Sequence, residues 1–162
     1  MQAKKKLIFV FVACTLTLGG WWQYYYQRHY VNFSCDALVI YHNDDSEIKS
    51  SVRYVFDGDN GWLTLHGYLF QNDKFISNIS RRIYFSIIDV TKAGSKKEAH
   101  LFSESFTRYP TDKTDDQVLK RIVPDFYLKK GLDLSLYISE QSNGDYILST
   151  EYVPLMYCHA VP

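Results

Sequence analysis

The sequence predicts a mainly β fold: one N-terminal transmembrane helix, then a small antiparallel β-sandwich or barrel with one short helix inserted late. Three observations carry this. Apolar and polar residues alternate with a period of two over seven or eight stretches beyond residue 30. Clusters of Asn, Asp and Gly join those stretches, and such residues tolerate the positive φ of tight turns. At the start, Lys4, Lys5 and Lys6 precede an uncharged run from Leu7 through Gln27. The aromatic content of 17%, dominated by 14 Tyr, also favours strands over helices.

Residues 7–26 form the expected anchor, since about 20 residues at about 1.5 Å each match a hydrocarbon core. Trp21, Trp22, Tyr24, Tyr25 and Tyr26 supply an aromatic belt at its far interface. Three lysines on the short side hold the N-terminus in the cytoplasm and send the body outward. The expected division is a cytoplasmic tail at 1–6, the anchor at 7–26 and a β-rich domain at 27–162. Signal-peptide cleavage needs small residues at the cut. The segment Thr17-Leu18-Gly19, followed at once by Trp21 and Trp22, fits that poorly, so the anchor is expected to stay uncut.

Beyond the anchor, Phe33, Cys35, Ala37, Val39 and Tyr41 share one face of a first strand. Asn43-Asp44-Asp45-Ser46 turns the chain into a second, with Ile48, Val52, Tyr54 and Phe56 set against Lys49, Ser51 and Arg53. Asp57-Gly58-Asp59-Asn60-Gly61 closes that hairpin. The third strand, Trp62 to Gln71, is apolar on both faces. Leu63, Leu65 and Leu69 enter the core, whereas Trp62, His66, Tyr68 and Phe70 form an aromatic face that is either core or a ligand or partner surface. Phe75–Ile79 and Arg81–Val90 read as one long bent strand or two, and Ala99–Arg108 as another. Thr114-Asp115-Asp116-Gln117 has capping-box spacing, Val118, Leu119 and Ile122 form an apolar stripe, and Pro124 stops this short helix, which covers an open end of the β structure. Leu132, Leu134, Leu136 and Ile138 mark a half-buried strand. Ser142-Asn143-Gly144-Asp145 then turns into a last one, Tyr146 to Cys158, whose Pro154 requires an edge or a bulge.

Charge and motifs narrow the function. Setting the three lysines aside leaves 15 basic against 18 acidic residues, no footprint for nucleic acid. The five histidines never approach metal-ligand spacing. The Asp57–Gly61 segment begins like a calcium loop, but Trp62 stands where its glycine belongs and Tyr68 where its glutamate belongs. No nucleophile elbow or phosphate-binding glycine loop is present, so no catalytic, cofactor or metal residues are expected and the chain reads as a non-enzyme. Cys35 and Cys158, one at each end of an exported domain, read as a disulfide, and Cys14 as a small apolar residue of the anchor helix.

In layout the chain resembles the FidL-like family of small enterobacterial membrane proteins. The likeness lies in the basic start and single anchor, in Phe33-Ser34-Cys35 opening the first strand, and in the run from Asn143-Gly144-Asp145-Tyr146 through Pro154 to Cys158. The resemblance implies no activity and no site residues. It implies a ToxS-type companion of a ToxR-like regulator, which joins a cytoplasmic DNA-binding domain through one membrane span to a periplasmic domain. The expected function is therefore a membrane-anchored periplasmic accessory protein that modulates such a regulator. Two other readings stand beside it, a periplasmic binding module for an apolar small molecule and an envelope assembly factor.

Overall fold

The computed structural model describes residues 14–22, 31–151 and 153–161, with Ala93 as backbone alone. The chain divides into two units, Met1–Tyr30 and Val31–Pro162. Residues 14–22 are helical and carry the free Cys14. The rest of the anchor expected at 7–26 lies outside the described residues; among these, no helix is long and apolar enough to cross a membrane.

The second unit is a closed eight-stranded antiparallel barrel in which each strand pairs with the next and the last returns to the first. Its strands are β1 (Val31–Asn43), β2 (Ser46–Gly58), β3 (Asn60–Gln71), β4 (Lys74–Ala93), β5 (Lys96–Arg108), β6 (Asp133–Glu140), β7 (Tyr146–Ser149) and β8 (Pro154–Val161). Of the two expected architectures, closure selects the barrel. The expected faces hold: Cys35, Ile48, Val52, Tyr54, Phe56, Leu63, Leu65, Ile83, Phe85, Leu101 and Leu136 all point inward and are buried. Each large aliphatic or aromatic side chain removed from water contributes about 1.5–3 kcal/mol. Near the β1–β8 seam, Phe33 stacks between Phe56 and Tyr146, with ring centroids 4.7 and 4.0 Å away. Positive φ falls where the turn residues predict it, at Asp44, Gly58, Asn72, Asp73, Gly94 and Gly144.

The order of strand lengths shapes the molecule. At the seam, β1 pairs with β8 over Ser34, Cys35 and Asp36 alone, opposite Val161, Ala160 and His159. The Cys35–Cys158 disulfide crosses here with a Cα separation of 5.3 Å, as expected. Likewise β5 pairs with β6 over Lys97–Phe102, leaving its second half bonded to β4. Strands β1 to β5 therefore outrun β6 to β8 at the end that bears the β1–β2 and β3–β4 turns.

Residues 109–131 run as a strap across that end, which is the covering role expected of the inserted helix. The helix itself is one turn, Asp116–Leu119. Its cap is Asp115, whose side chain accepts from the Gln117 N–H at 2.9 Å. Thr114, expected as the cap, is buried instead and shares a 2.7 Å hydroxyl contact with Ser77. A 3-10 turn, Asp125–Tyr127, follows Pro124.

Two buried networks hold the strap. Arg81, fully buried on the inward side of β4, bonds Asp112 through Nε at 2.7 Å and Asp116 through Nη2 at 2.7 Å. Its guanidinium lies 5.6 Å from the Phe106 ring centroid. Asp112 also accepts from the N–H groups of Ser80 at 3.0 Å and Thr114 at 3.1 Å, and pairs with Arg108 Nε at 3.2 Å. Burial pushes the Asp112 carboxyl up, but the Arg81 bond, those N–H donors and the Arg81 charge outweigh it and hold it below the ordinary value. In the second network Tyr127 meets Tyr54, hydroxyl to hydroxyl at 2.9 Å, and also bonds Tyr41. Burial, first of the causes, raises all three phenols well above their usual range.

Of the two readings of the fourth stretch, the single strand holds, with irregularities between Tyr84 and Phe85 and between Ile87 and Asp89. One strand expectation changes. The last stretch, read as a single strand from Tyr146 to Cys158, is two. Pro154 begins β8 rather than interrupting it, because it lacks the N–H a continuous ladder needs. Thr150 N–H bonds the Val153 carbonyl at 2.9 Å to close the turn between them.

Candidate functional site

On β3 the residues that point away from the core are Trp62, Thr64, His66, Tyr68 and Phe70, so the aromatic face read from the sequence lies on the outside of the barrel. Strand register divides it. Trp62 is half-buried between Val55 of β2 and Tyr84 of β4. A polar row then intervenes, Asp36–Arg53–Thr64–Arg82, in which Arg53 Nε donates to Asp36 at 2.6 Å. That bond, with the Arg53 charge, holds the Asp36 carboxyl below its ordinary value.

The next two rows make the candidate site. One is Leu38–Ser51–His66–Ser80 and the other Ile40–Lys49–Tyr68–Asn78, each running across four strands. Together with Thr111 of the strap they line a groove of about 610 Å³. Its apolar lining is open to solvent: Leu38 is 87%, Ile40 57% and Tyr68 55% exposed. Beneath the groove, the inward row Val39–Ser50–Gly67–Ile79 is thin. A Cβ at Gly67 would lie 2.6 Å from the Lys49 carbonyl oxygen and 2.9 Å from Ser50 Cβ, so glycine permits this close approach of β2 and β3. Ser50 Oγ donates inward to the Val39 carbonyl at 3.0 Å.

Charge borders one end. Glu47 takes Lys49 Nζ at 2.8 Å and His42 Nδ1 at 3.3 Å. The Lys49 hydrogen bond lowers the Glu47 carboxyl, and the same contact raises Lys49. Lys49 also stands 5.1 Å from the centroid of Phe70, which packs edge-on against Phe75 at the groove's rim.

Of the four aromatic-face residues, the groove thus gathers His66 and Tyr68, sets Phe70 at its rim and excludes Trp62. Leu38, Ile40 and Ser80 were missed. The signal for the first two was present: like β3, β1 carries apolar residues on both parities, and the pair opposite to Cys35, Ala37 and Val39 had to face outward.

Chemically the groove offers apolar contact, an ammonium, an imidazole and hydroxyls. Ser80 Oγ lies 3.0 Å from His66 Nδ1, the beginning of a nucleophile–base pair. Among the described residues no carboxylate joins the pair to orient the base. Asp112, which binds the Ser80 N–H, holds its carboxylate against Arg81 and Arg108 instead. An equivalent contact, Ser135 Oγ to His100 Nδ1 at 2.9 Å, joins the neighbouring strands β5 and β6, so cross-strand Ser–His pairing is a packing habit of this barrel. Among the described residues no three His, Cys, Asp or Glu side chains converge as metal ligands.

The family profile of the YqeJ C-terminal domain matches residues 32–158, which covers the barrel from β1 to the second cysteine of the disulfide. The chain belongs to the YqeJ C-terminal domain family. The uncharacterized protein YqeJ of Escherichia coli (strain K12) is 26% identical over 159 residues, 96% of each chain. No solved structure matches. Membership in this family assigns no chemistry to the groove.

Proposed function

We propose that the chain is a non-catalytic accessory protein, anchored in the bacterial inner membrane, whose periplasmic barrel docks the periplasmic domain of a ToxR-like one-pass regulator. The groove carries the docking part of this reading. Leu38, Ile40 and Tyr68 stand exposed beside Lys49 and His66, on the outside of a barrel whose interior its own side chains fill. An exposed apolar patch with a polar rim is the usual form of a protein interaction surface. The regulator as partner rests on the resemblance to FidL-like companions in the basic start, Phe33-Ser34-Cys35 and the ending through Pro154 to Cys158.

Deleting the gene and measuring the regulator's protein level and target transcription tests the reading. Both should change, and a folded Leu38→Ser, Tyr68→Ala variant should reproduce the change. Unchanged level and output in the deletion strain sink the companion role. A second reading is favoured by the groove's size, which falls within the range of small-molecule sites. An apolar molecule seated on Leu38, Ile40 and Tyr68 would copurify with the native protein and be lost from the same double variant, as mass spectrometry of the extract would show.

A further inference from the structure

Strand β1 is paired on its two sides to very different extents. It bonds β2 along its whole length but β8 over Ser34–Asp36 alone. The β1–β2 hairpin closes with Asn43 opposite Ser46 across two turn residues, which makes that pair a hydrogen-bonded one. Tyr41, Val39 and Ala37 therefore direct their backbone groups at β2. Leu38, Ile40 and His42 direct their N–H and C=O to the other side, in the same parity as Ser34 and Asp36, which pair with β8. No strand among the described residues pairs with these three. The edge from Ala37 to Asn43 reads Ala-Leu-Val-Ile-Tyr-His-Asn. It holds no Lys, Asp, Glu, Pro or Gly, and so lacks the charged and proline residues that commonly keep an edge strand from pairing. The strap touches it at its last residue, where Asn43 Nδ2 donates to the Arg121 carbonyl at 3.1 Å, while Leu38 and Ile40 stay exposed.

We infer that this edge is the interface with a second copy of the same chain. Set antiparallel about a two-fold axis through Ile40, each Ile40 faces its counterpart and each Leu38 faces the other copy's His42. All three outward-directed residues of both copies then meet in hydrogen-bonded pairs, giving six N–H···O=C bonds. A slip of one residue would set them against residues bonded to β2, and a slip of two would leave some unpaired. No like charges meet along the seven residues; just outside them Asp36, already bound to Arg53, comes opposite the other copy's Asp44 in the β1–β2 turn. The contact is isologous and closed, so it stops at two copies. Side chains stay on the outer face, and Leu38 and Ile40 of both copies join the two grooves into one surface. The inference does not depend on which partner the groove takes.

The test uses the full-length chain in mild detergent, in a Cys14→Ser background so that the free thiol does not interfere. Ile40→Cys should oxidise to a covalent dimer, because two-fold partners in a hydrogen-bonded pair lie about 5.5 Å apart at Cα, within disulfide reach. Tyr68→Cys, two strands away on the same face, should remain monomeric on the same gel. Ile40→Pro removes an N–H that points away from β2, so the barrel should keep its Cys35–Cys158 bond while native mass spectrometry shows dimerisation weakened by at least about tenfold. If that variant fails to fold, Ile40→Lys places two charges on the axis without touching the backbone and should give the same loss. A wild-type chain that stays monomeric up to about 100 μM, or a dimer that survives both substitutions, overturns the inference.

Discussion

The β1–β8 seam and the 109–131 strap close the same barrel by different means. At the seam, three residue pairs and the covalent Cys35–Cys158 bond join strands from opposite ends of the sequence, and the ionisable pair among them, Asp36 opposite His159, is not buried. The strap is held by one buried guanidinium, two carboxylates and three phenols, without a covalent bond. The first joint acts mainly by restricting the unfolded chain. The second acts only in the native state, where a charge removed from water is stable because its partner is present. Each joint should therefore fail under a different stress, and each failure should leave the other recognisable.

The largest effect is expected at the seam. Replacing Cys35 and Cys158 with Ala frees a loop of 123 residues, worth up to about 5 kcal/mol on the chain-entropy model. Urea unfolding should show that loss, and hydrogen exchange should rise first along β1 and β8. At the strap, Asp112→Ala leaves the buried Arg81 with the half-exposed Asp116 as its remaining carboxylate and should cost up to about 3–5 kcal/mol. The double change Arg81→Met, Asp112→Ala should recover part of that loss. A double variant as unstable as the single one would show that the pair itself, and not the buried charge left behind, sets the cost.

Acid sharpens the contrast. The Asp112 carboxyl titrates below its ordinary 3.8, so its contribution is complete above that pH and is lost as the pH falls through the lowered value. Stability measured from pH 6 downward should fall on this limb, and Asp112→Asn should flatten it. Asp36→Asn, at an exposed pair, should leave the limb nearly unchanged. The smallest effect belongs to the phenols. Tyr127→Phe leaves the ring packed and removes the 2.9 Å contact with Tyr54, at a cost of about 1 kcal/mol in the same urea assay.

The seam and the strap also differ in how far the sequence disclosed them. Period-two alternation placed Cys35 inward on a first strand and put Cys158 near the end of the last, so the bond between them was legible. Whether the sheet closes was not. Alternation records which face of a strand is buried, and inward residues alternate in a sandwich and a barrel alike. The strap was recognised as a cover, but its latch was hidden. Arg81 and Arg82 stand side by side as two charges, yet Arg81 shares parity with Ile79, Ile83 and Phe85, and that parity was the available sign of its burial. Asp112, in a loop without periodicity, left no sign at all. The outward course of Trp62 to Phe70 was open in the sequence because a strand apolar on both faces does not say which face is the core.

The seam has a further consequence for the order of events as the chain is made. Every other strand pair joins neighbours in sequence, so hairpins can zip one after another as they emerge. Pairing of β1 with β8 must wait until residues 159–161 exist, and no other cysteine lies between Cys35 and Cys158. Within the barrel, then, an early thiol cannot be captured by a wrong mate. Oxidation there records that the last strand has arrived.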